Sequence, residues 1–239
     1  MRARTNLISF YALPEDAALS SIIESAGLSG IATGVIGAGT ASSSSAPDWG
    51  WAGSVTDLSP YSGYWVLVNA PADLCIERAT VSGESTVYNL VSGANIVSFP
   101  IAGSVTVGDG LPDDIESSVS DIIGAGVATI NSGSGWAGNL TNFIGGAGYW
   151  MITTEPISFS YDVSSAGRTR HESASGLSIP EGYMINQSTR QSFYFIEEII
   201  IHGELITESD WILAYNDDVL VGARQWTGPY TDVPAMGDD

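Results

Sequence analysis

The stretch WAGSVTDLSPYSGYW, residues 51–65, returns in altered form as WAGNLTNFIGGAGYW, residues 136–150. Seven positions are identical: Trp51/Trp136, Ala52/Ala137, Gly53/Gly138, Thr56/Thr141, Gly63/Gly148, Tyr64/Tyr149 and Trp65/Trp150. The identities fall mostly on large aromatics and on glycines, whose bulk and backbone freedom other residues replace poorly. Chance is a weak account of such a match, and duplication of one small folding unit is a strong one.

The match extends outward from this phrase. NLISFYALP at 6–14 is echoed by NIVSFPIAG at 95–103, and VIGAGTAS at 35–42 by IIGAGVAT at 122–129. Three blocks thus recur in one order. A repeat of about 90 residues is a whole small domain rather than a solenoid unit. Within each copy, LISFYAL and IVSFPI are apolar and β-branched and predict strands. PEDAALSSIIESAG (14–27) and PDDIESSVSDIIGAG (112–126) start with Pro and acids, carry apolar residues at helical spacing and end in Gly, which predicts a helix in each. The following I-G-A-G-x-A, Ile36–Ala41 and Ile123–Ala128, predicts glycines at positive φ or at a close backbone approach. No G-K-[ST] follows it, so a phosphate cradle is not supported. A loop (SSSSAPDWG at 42–50, NSGSG at 131–135) leads into the Trp phrase, which predicts a hairpin with a Trp at either end and closes on the strands GYWVLV and GYWMIT.

Composition narrows the function classes. The 239 residues suffice for one large domain or two to three small ones. Hydrophobic residues make up 44%, with seven tryptophans, so a packed core is available. Twenty-seven acidic residues oppose seven basic ones, all arginine, for a net charge of −20. An acidic surface repels phosphate backbones and excludes nucleic acid as a partner. It suits a saline or extracellular medium, where screening acts over about 10 Å or less. Cys75 is the single cysteine, so no intrachain disulfide forms, and ADLCIERA reads it as a small buried hydrophobe. The N-terminal MRARTNLISFYALPED has no apolar run of signal-peptide length, and no stretch is long and apolar enough to span a membrane.

The fold class expected is mainly β with short helices (α+β): two duplicated small modules followed by a β-sandwich-like module. The first module is placed at 1–94 and the second at 95–162. A Ser-, Gly- and charge-rich linker follows at 163–189, and a β-rich C-terminal module, shorter than a complete one, at 190–239. In the last segment, QSFYFIEEIIIHGELI predicts a hairpin turning at His202-Gly203, and DWILAYNDDVLVGARQW one turning at 216–218.

The chemistry-bearing residues are few. Trp51, Tyr64, Trp65, Trp136, Tyr149 and Trp150 are either the cores of the two copies or an exposed platform on which sugar rings stack. The acid pairs Glu15/Asp16 and Asp113/Asp114 sit at predicted helix starts, where capping suffices. Glu197 and Glu198 are adjacent on a strand and point to opposite faces, so they do not make the facing carboxylates of a glycosidase. Neither His171 nor His202 has a metal-ligand neighbour at short spacing, which disfavours zinc. Calcium is the fairer metal. Asn216, Asp217, Asp218, Asp232, Asp238 and Asp239 crowd oxygen ligands into the C-terminal module, though without EF-hand spacing.

The tandem blocks, Asn6–Phe10, Ile36–Ala41 and Trp51–Trp65, then Asn95–Phe99, Ile123–Ala128 and Trp136–Trp150, resemble modules of large secreted or particle-surface proteins of marine bacteria and their phages. DWILAYNDDVLVGARQW with the following DVPAMGDD, within 210–239, is similar to a β-sandwich module that often closes such proteins. The resemblance covers most of the chain and implies architecture rather than activity. It departs from the pattern in lacking a signal peptide and in ending the last module early, as a fragment would. The function expected is therefore a non-enzymatic structural protein of a phage virion (fibre, decoration or tail component) or extracellular assembly, built by self-association or with other structural subunits. Its location would be the virion or extracellular surface, with surface glycans and calcium as further partners. The alternative is a carbohydrate-binding adhesin module of a secreted marine bacterial protein.

Overall fold

The computed structural model describes residues 1–46, 50–167, 180 and 182–238. Among the described residues the chain is mainly β: strands account for 45% and three short helices for 7%. Residues 1–82 run β1 (Arg4–Ser9), β2 (Ala12–Leu13), α1 (Leu19–Ser25), β3 (Ala32–Gly37), β4 (Thr40–Ala46), β5 (Gly50–Gly53), β6 (Gly63–Val68) and β7 (Thr80–Val81). Residues 86–167 run β8 (Tyr88–Leu90), β9 (Gly93–Val97), β10 (Ser104–Thr106), α2 (Val107–Gly110), α3 (Asp113–Glu116), β11 (Val119–Ile123), β12 (Ala128–Asn131), β13 (Trp136–Gly138), β14 (Asn142–Ile144), β15 (Tyr149–Thr153) and β16 (Ile157–Phe159).

Each stretch builds one five-stranded antiparallel sheet, in the order β1-β6-β3-β4-β5 and β9-β15-β11-β12-β13. Position for position in the aligned blocks, these are the same topology. The I-G-A-G motif is the hairpin turn between the third and fourth strands of each, with Gly39 at φ 67° and Gly126 at φ 74°. The last glycine of W-A-G also matches, at φ 145° for Gly53 and 139° for Gly138.

Several local expectations need correction. Cys75 is exposed rather than buried, and the serines at 42–45, expected in a loop, belong to strand β4. PDDIESSVSDIIGAG is not one helix: α3 ends at Glu116, and Val119–Ile123 is a central strand. A β-bulge between Val119 and Asp121 is the reason. One extra residue puts Val119 and Ile122, three apart, both on the buried side, and so counterfeits helical spacing. The same irregularity lies between Ala32 and Gly34 of β3. Nor does the Trp phrase form a hairpin. Trp51 lies on edge strand β5 and Trp65 on β6, with β3 and β4 between them.

The apolar residues divide into two cores and a seam. The first core gathers Leu19, Ile22 and Leu28 from α1 and its exit against Val35, Val66 and Val68. The second gathers Phe99, Phe143, Tyr149, Met151 and Tyr161, with rings 4.9–5.9 Å apart in stacked and edge-on contacts. Tyr88 and Leu90 belong to this second core, because β8 pairs with β16. Between the sheets lie Leu7, Trp65 and Ile96, flanked by Ile36 and Trp150. Main-chain bonds cross the seam reciprocally: Ser9 N–H donates to Gly146 O at 2.9 Å, and its counterpart Ser98 N–H to Tyr61 O at 3.2 Å.

The third segment comprises β17 (Gln191–Ile196), β18 (Ile200–Ile201), β19 (Glu204–Leu205), β20 (Trp211–Asn216), β21 (Val219–Gln225) and β22 (Thr231–Met236). β18 and β19 form a hairpin whose turn residues His202 and Gly203 both have positive φ, 55° and 88°. β20 and β21 form another, turning at Asp217-Asp218. β17 pairs along its length with β22. β21 meets β22 backbone to backbone at Gly222, where a Cβ would stand 1.6 Å from Pro234 O. Residues 168–179 and 181 of the expected linker lie outside the described residues. Its ends are held, by Gly167 bonding Ser104 and by the buried Ser188. Among the described residues no helix is long and apolar enough to cross a membrane.

Candidate functional site

The six aromatics do not assemble on one surface. Trp65, Tyr64 and Tyr149 are buried, at 2%, 5% and 2% exposure. Sugar stacking requires an open ring face, which these three do not present. Tyr64 and Tyr149 play one structural part twice: the hydroxyl accepts the N–H of the residue five positions earlier, Ser59 or Ile144, at 2.8 Å in both. Burial pushes both phenols above their ordinary range. Trp150 is half-buried in the seam. Trp51 packs against the first core. Trp136 packs against the second and donates Nε1–H to Glu116 Oε1 at 2.8 Å.

The calcium candidates scatter likewise. Asn216, Asp217 and Asp218 form an exposed turn, and Asp238 is exposed. Asp239 lies outside the described residues. Asp232 has no exposed surface and is committed elsewhere. Among the described residues no three His, Cys, Asp or Glu side chains come together as a metal site.

Asp232 instead anchors the C-terminal segment to the second sheet. Its Oδ2 accepts the Ala128 N–H at 2.7 Å and its Oδ1 the Asn139 N–H at 3.1 Å. Arg224, 6% exposed, donates Nε–H to Asp232 O at 2.8 Å, reaches Asp232 Oδ2 at 3.3 Å and bonds Gly126 O. The ion pair therefore closes over the I-G-A-G turn and the end of W-A-G, the two motifs repeated in sequence. Thr227 extends the contact to Asn139 Nδ2 at 3.2 Å. Burial pushes the Asp232 carboxyl up to about 6, against the opposing pull of the Arg224 charge and the two amides. The same burial lowers Arg224. The sequence offered a signal for this pair: an arginine inside the apolar strand VLVGARQW must find an acceptor if the strand is buried.

Away from this anchor the C-terminal segment exposes large apolar side chains. Tyr194, Ile200, Ile201, Leu205, Tyr215 and Val219 are 56–63% exposed. No protein-family model, no curated protein and no solved structure matches the chain.

Proposed function

We propose that the chain is a non-enzymatic structural protein whose duplicated sheets act as a scaffold and whose C-terminal segment joins it to other subunits of a virion-surface or extracellular assembly. The observation that carries this reading is the number of large apolar side chains that the C-terminal segment exposes. A two-stranded hairpin such as β18–β19 is marginally stable in water alone, and an exposed apolar group on it is stabilised by burial against a neighbour. Two duplicated modules at 1–94 and 95–162 with a β-sandwich-like module after them suit a scaffold built by duplication, with the limit between the two copies better set ahead of Tyr88.

The burial of Tyr64, Trp65 and Tyr149 weighs against the sugar-platform alternative. The net charge of −20 favours assembly where salt screens repulsion between copies. Light scattering in seawater-like salt, with and without chelator, tests the reading. Regular oligomers are expected, and their loss on chelation would add calcium as a structural partner. A 25.0 kDa monomer at every concentration would overturn self-assembly, and saturable glycan binding by that monomer would install the adhesin reading instead.

A further inference from the structure

The anchor used on the second sheet has an unused counterpart on the first. Gly39, Ala41 and Ser54 occupy the aligned positions of Gly126, Ala128 and Asn139. The turn and strand register match at both, with one difference in bonding. The Ser54 N–H already donates to Ala41 O at 2.8 Å, whereas the Asn139 N–H is given to Asp232 and the Leu140 N–H bonds Ala128 O, so the Ala41 amide is the one left for an incoming carboxylate. The turn glycines share positive φ, and a Cβ on Gly53 or Gly138 would lie 2.1 Å from Ala41 O or 2.4 Å from Ala128 O. Exposure differs. Ala128 is completely buried beneath Asp232, whereas Ala41, with Gly39, Thr40 and Ser54 around it, is exposed. In place of an aspartate, the Ala41 N–H finds only the hydroxyl of the exposed Ser54, at 3.1 Å. That hydroxyl can turn to water when a stronger acceptor arrives.

We infer that this face of the first sheet receives the C-terminal segment of a second copy of the chain, with Arg224 and Asp232 of the incoming segment closing over Gly39–Ala41 as they close over Gly126–Ala128 within one chain. The occupant is indicated by the molecule itself, since the segment already seats on the sister turn. An ionised carboxylate is a better acceptor for a turn amide than a hydroxyl. A contact between two different surfaces is heterologous, so its repetition joins copies head to tail into a ring or an open chain. This inference rests on the self-association proposed above and names its interface. The tethered segment competes for its own second sheet at an effective concentration on the order of millimolar, so exchange between chains grows with protein concentration.

Disulfide trapping tests the pairing with full-length chains in which Cys75 is replaced by Ser. Ser54→Cys is placed on one chain and Thr227→Cys on another, because Thr227 meets Asn139, the counterpart of Ser54. On mixing at high concentration under oxidation, a mixed disulfide dimer of the two variants is expected to exceed either like-with-like dimer. Adding Ala41→Arg to the Ser54→Cys chain, an exposed change that leaves the fold intact, should abolish it. Only like-with-like dimers, or a mixed dimer indifferent to Ala41→Arg, would overturn the inference. Wild-type oligomers without the mixed dimer would sink this interface and leave self-assembly standing. A mixed dimer from a protein that scatters light as a monomer at lower concentration would uphold the interface and remove large-scale assembly.

Discussion

At the scale of single residues, Arg224 and Asp232 dominate. Removing one member of a buried pair leaves the other charged without compensation, a loss of about 3–5 kcal/mol. Arg224→Leu is expected to lower stability by that amount at neutral pH, measured by urea unfolding. The loss should shrink in acid, where the Asp232 carboxyl is neutral. In the wild-type protein, burial holds that carboxyl at about 6, above its ordinary 3.8. A raised acid binds its proton more tightly folded than unfolded. Its contribution is therefore complete below about pH 4 and is lost as pH rises through about 6, on the order of 3 kcal/mol. Unfolding free energies at several pH values, taken as the difference from Asp232→Asn to cancel the charge background, should narrow by that order between acid and neutral pH. A flat difference would remove the burial argument. Gly53 and Gly138 make a second case, because both backbone φ and a carbonyl within 2.4 Å exclude a side chain. Alanine at either should cost more than about 2 kcal/mol. Alanine at Gly27, with open space around its Cβ position, should cost about 1 kcal/mol.

At the scale of elements, the copies share a device that holds the edge strand. Asn6 Oδ1 accepts from Arg2 N–H, while its Nδ2 donates to the carbonyls of Arg2, Arg4 and Val66. Asn95 does the same with Val91, Gly93 and Met151. Asn95→Ala should cost about 1–3 kcal/mol and raise amide hydrogen exchange in β9 before the rest of its sheet, with Asn6→Ala acting likewise on β1. Equal exchange in both strands would deny the clasp its role. Asn6 and Asn95 stood aligned in the sequence, as did the glycines of both turns, so the repetition and the strand-rich class were legible. The strand at Val119–Ile123 was not, since a bulge gives buried residues a helix-like spacing that periodicity cannot separate from α-helix. The anchor was legible only in part. Asp232 stood out as an acid among acids, but pairing it with Arg224 over Gly126 depends on how β21 crosses β22, which no local pattern reports.

At the scale of the whole molecule, the two sheets are joined by a seam of their own repeated residues. Trp65 is buried there with its Nε1–H unpartnered. Trp65→Phe removes that N–H and leaves a smaller cavity than alanine would, so it should cost less than Trp65→Ala, which should cost about 3–5 kcal/mol and split calorimetric unfolding into two transitions as the cores uncouple. A single transition in the alanine variant would show that the cores cooperate by another route. Charge acts over the same distances. With −20 on one chain and a single ion pair among the described residues, the folded state carries repulsion that few internal contacts relieve. Salt screens that repulsion in the compact state more than in the expanded one, where the charges are already further apart. The midpoint of thermal unfolding is expected to rise steadily from about 0.05 M to about 1 M sodium chloride, most steeply at the low end where the Debye length falls fastest. The anchor pair is shielded from solvent and should hardly respond, so Arg224→Leu should show the same salt dependence from a lower starting point. A midpoint independent of salt would mean that the acids are spaced widely enough on the two sheets to ignore one another, and the saline setting would lose its physical basis.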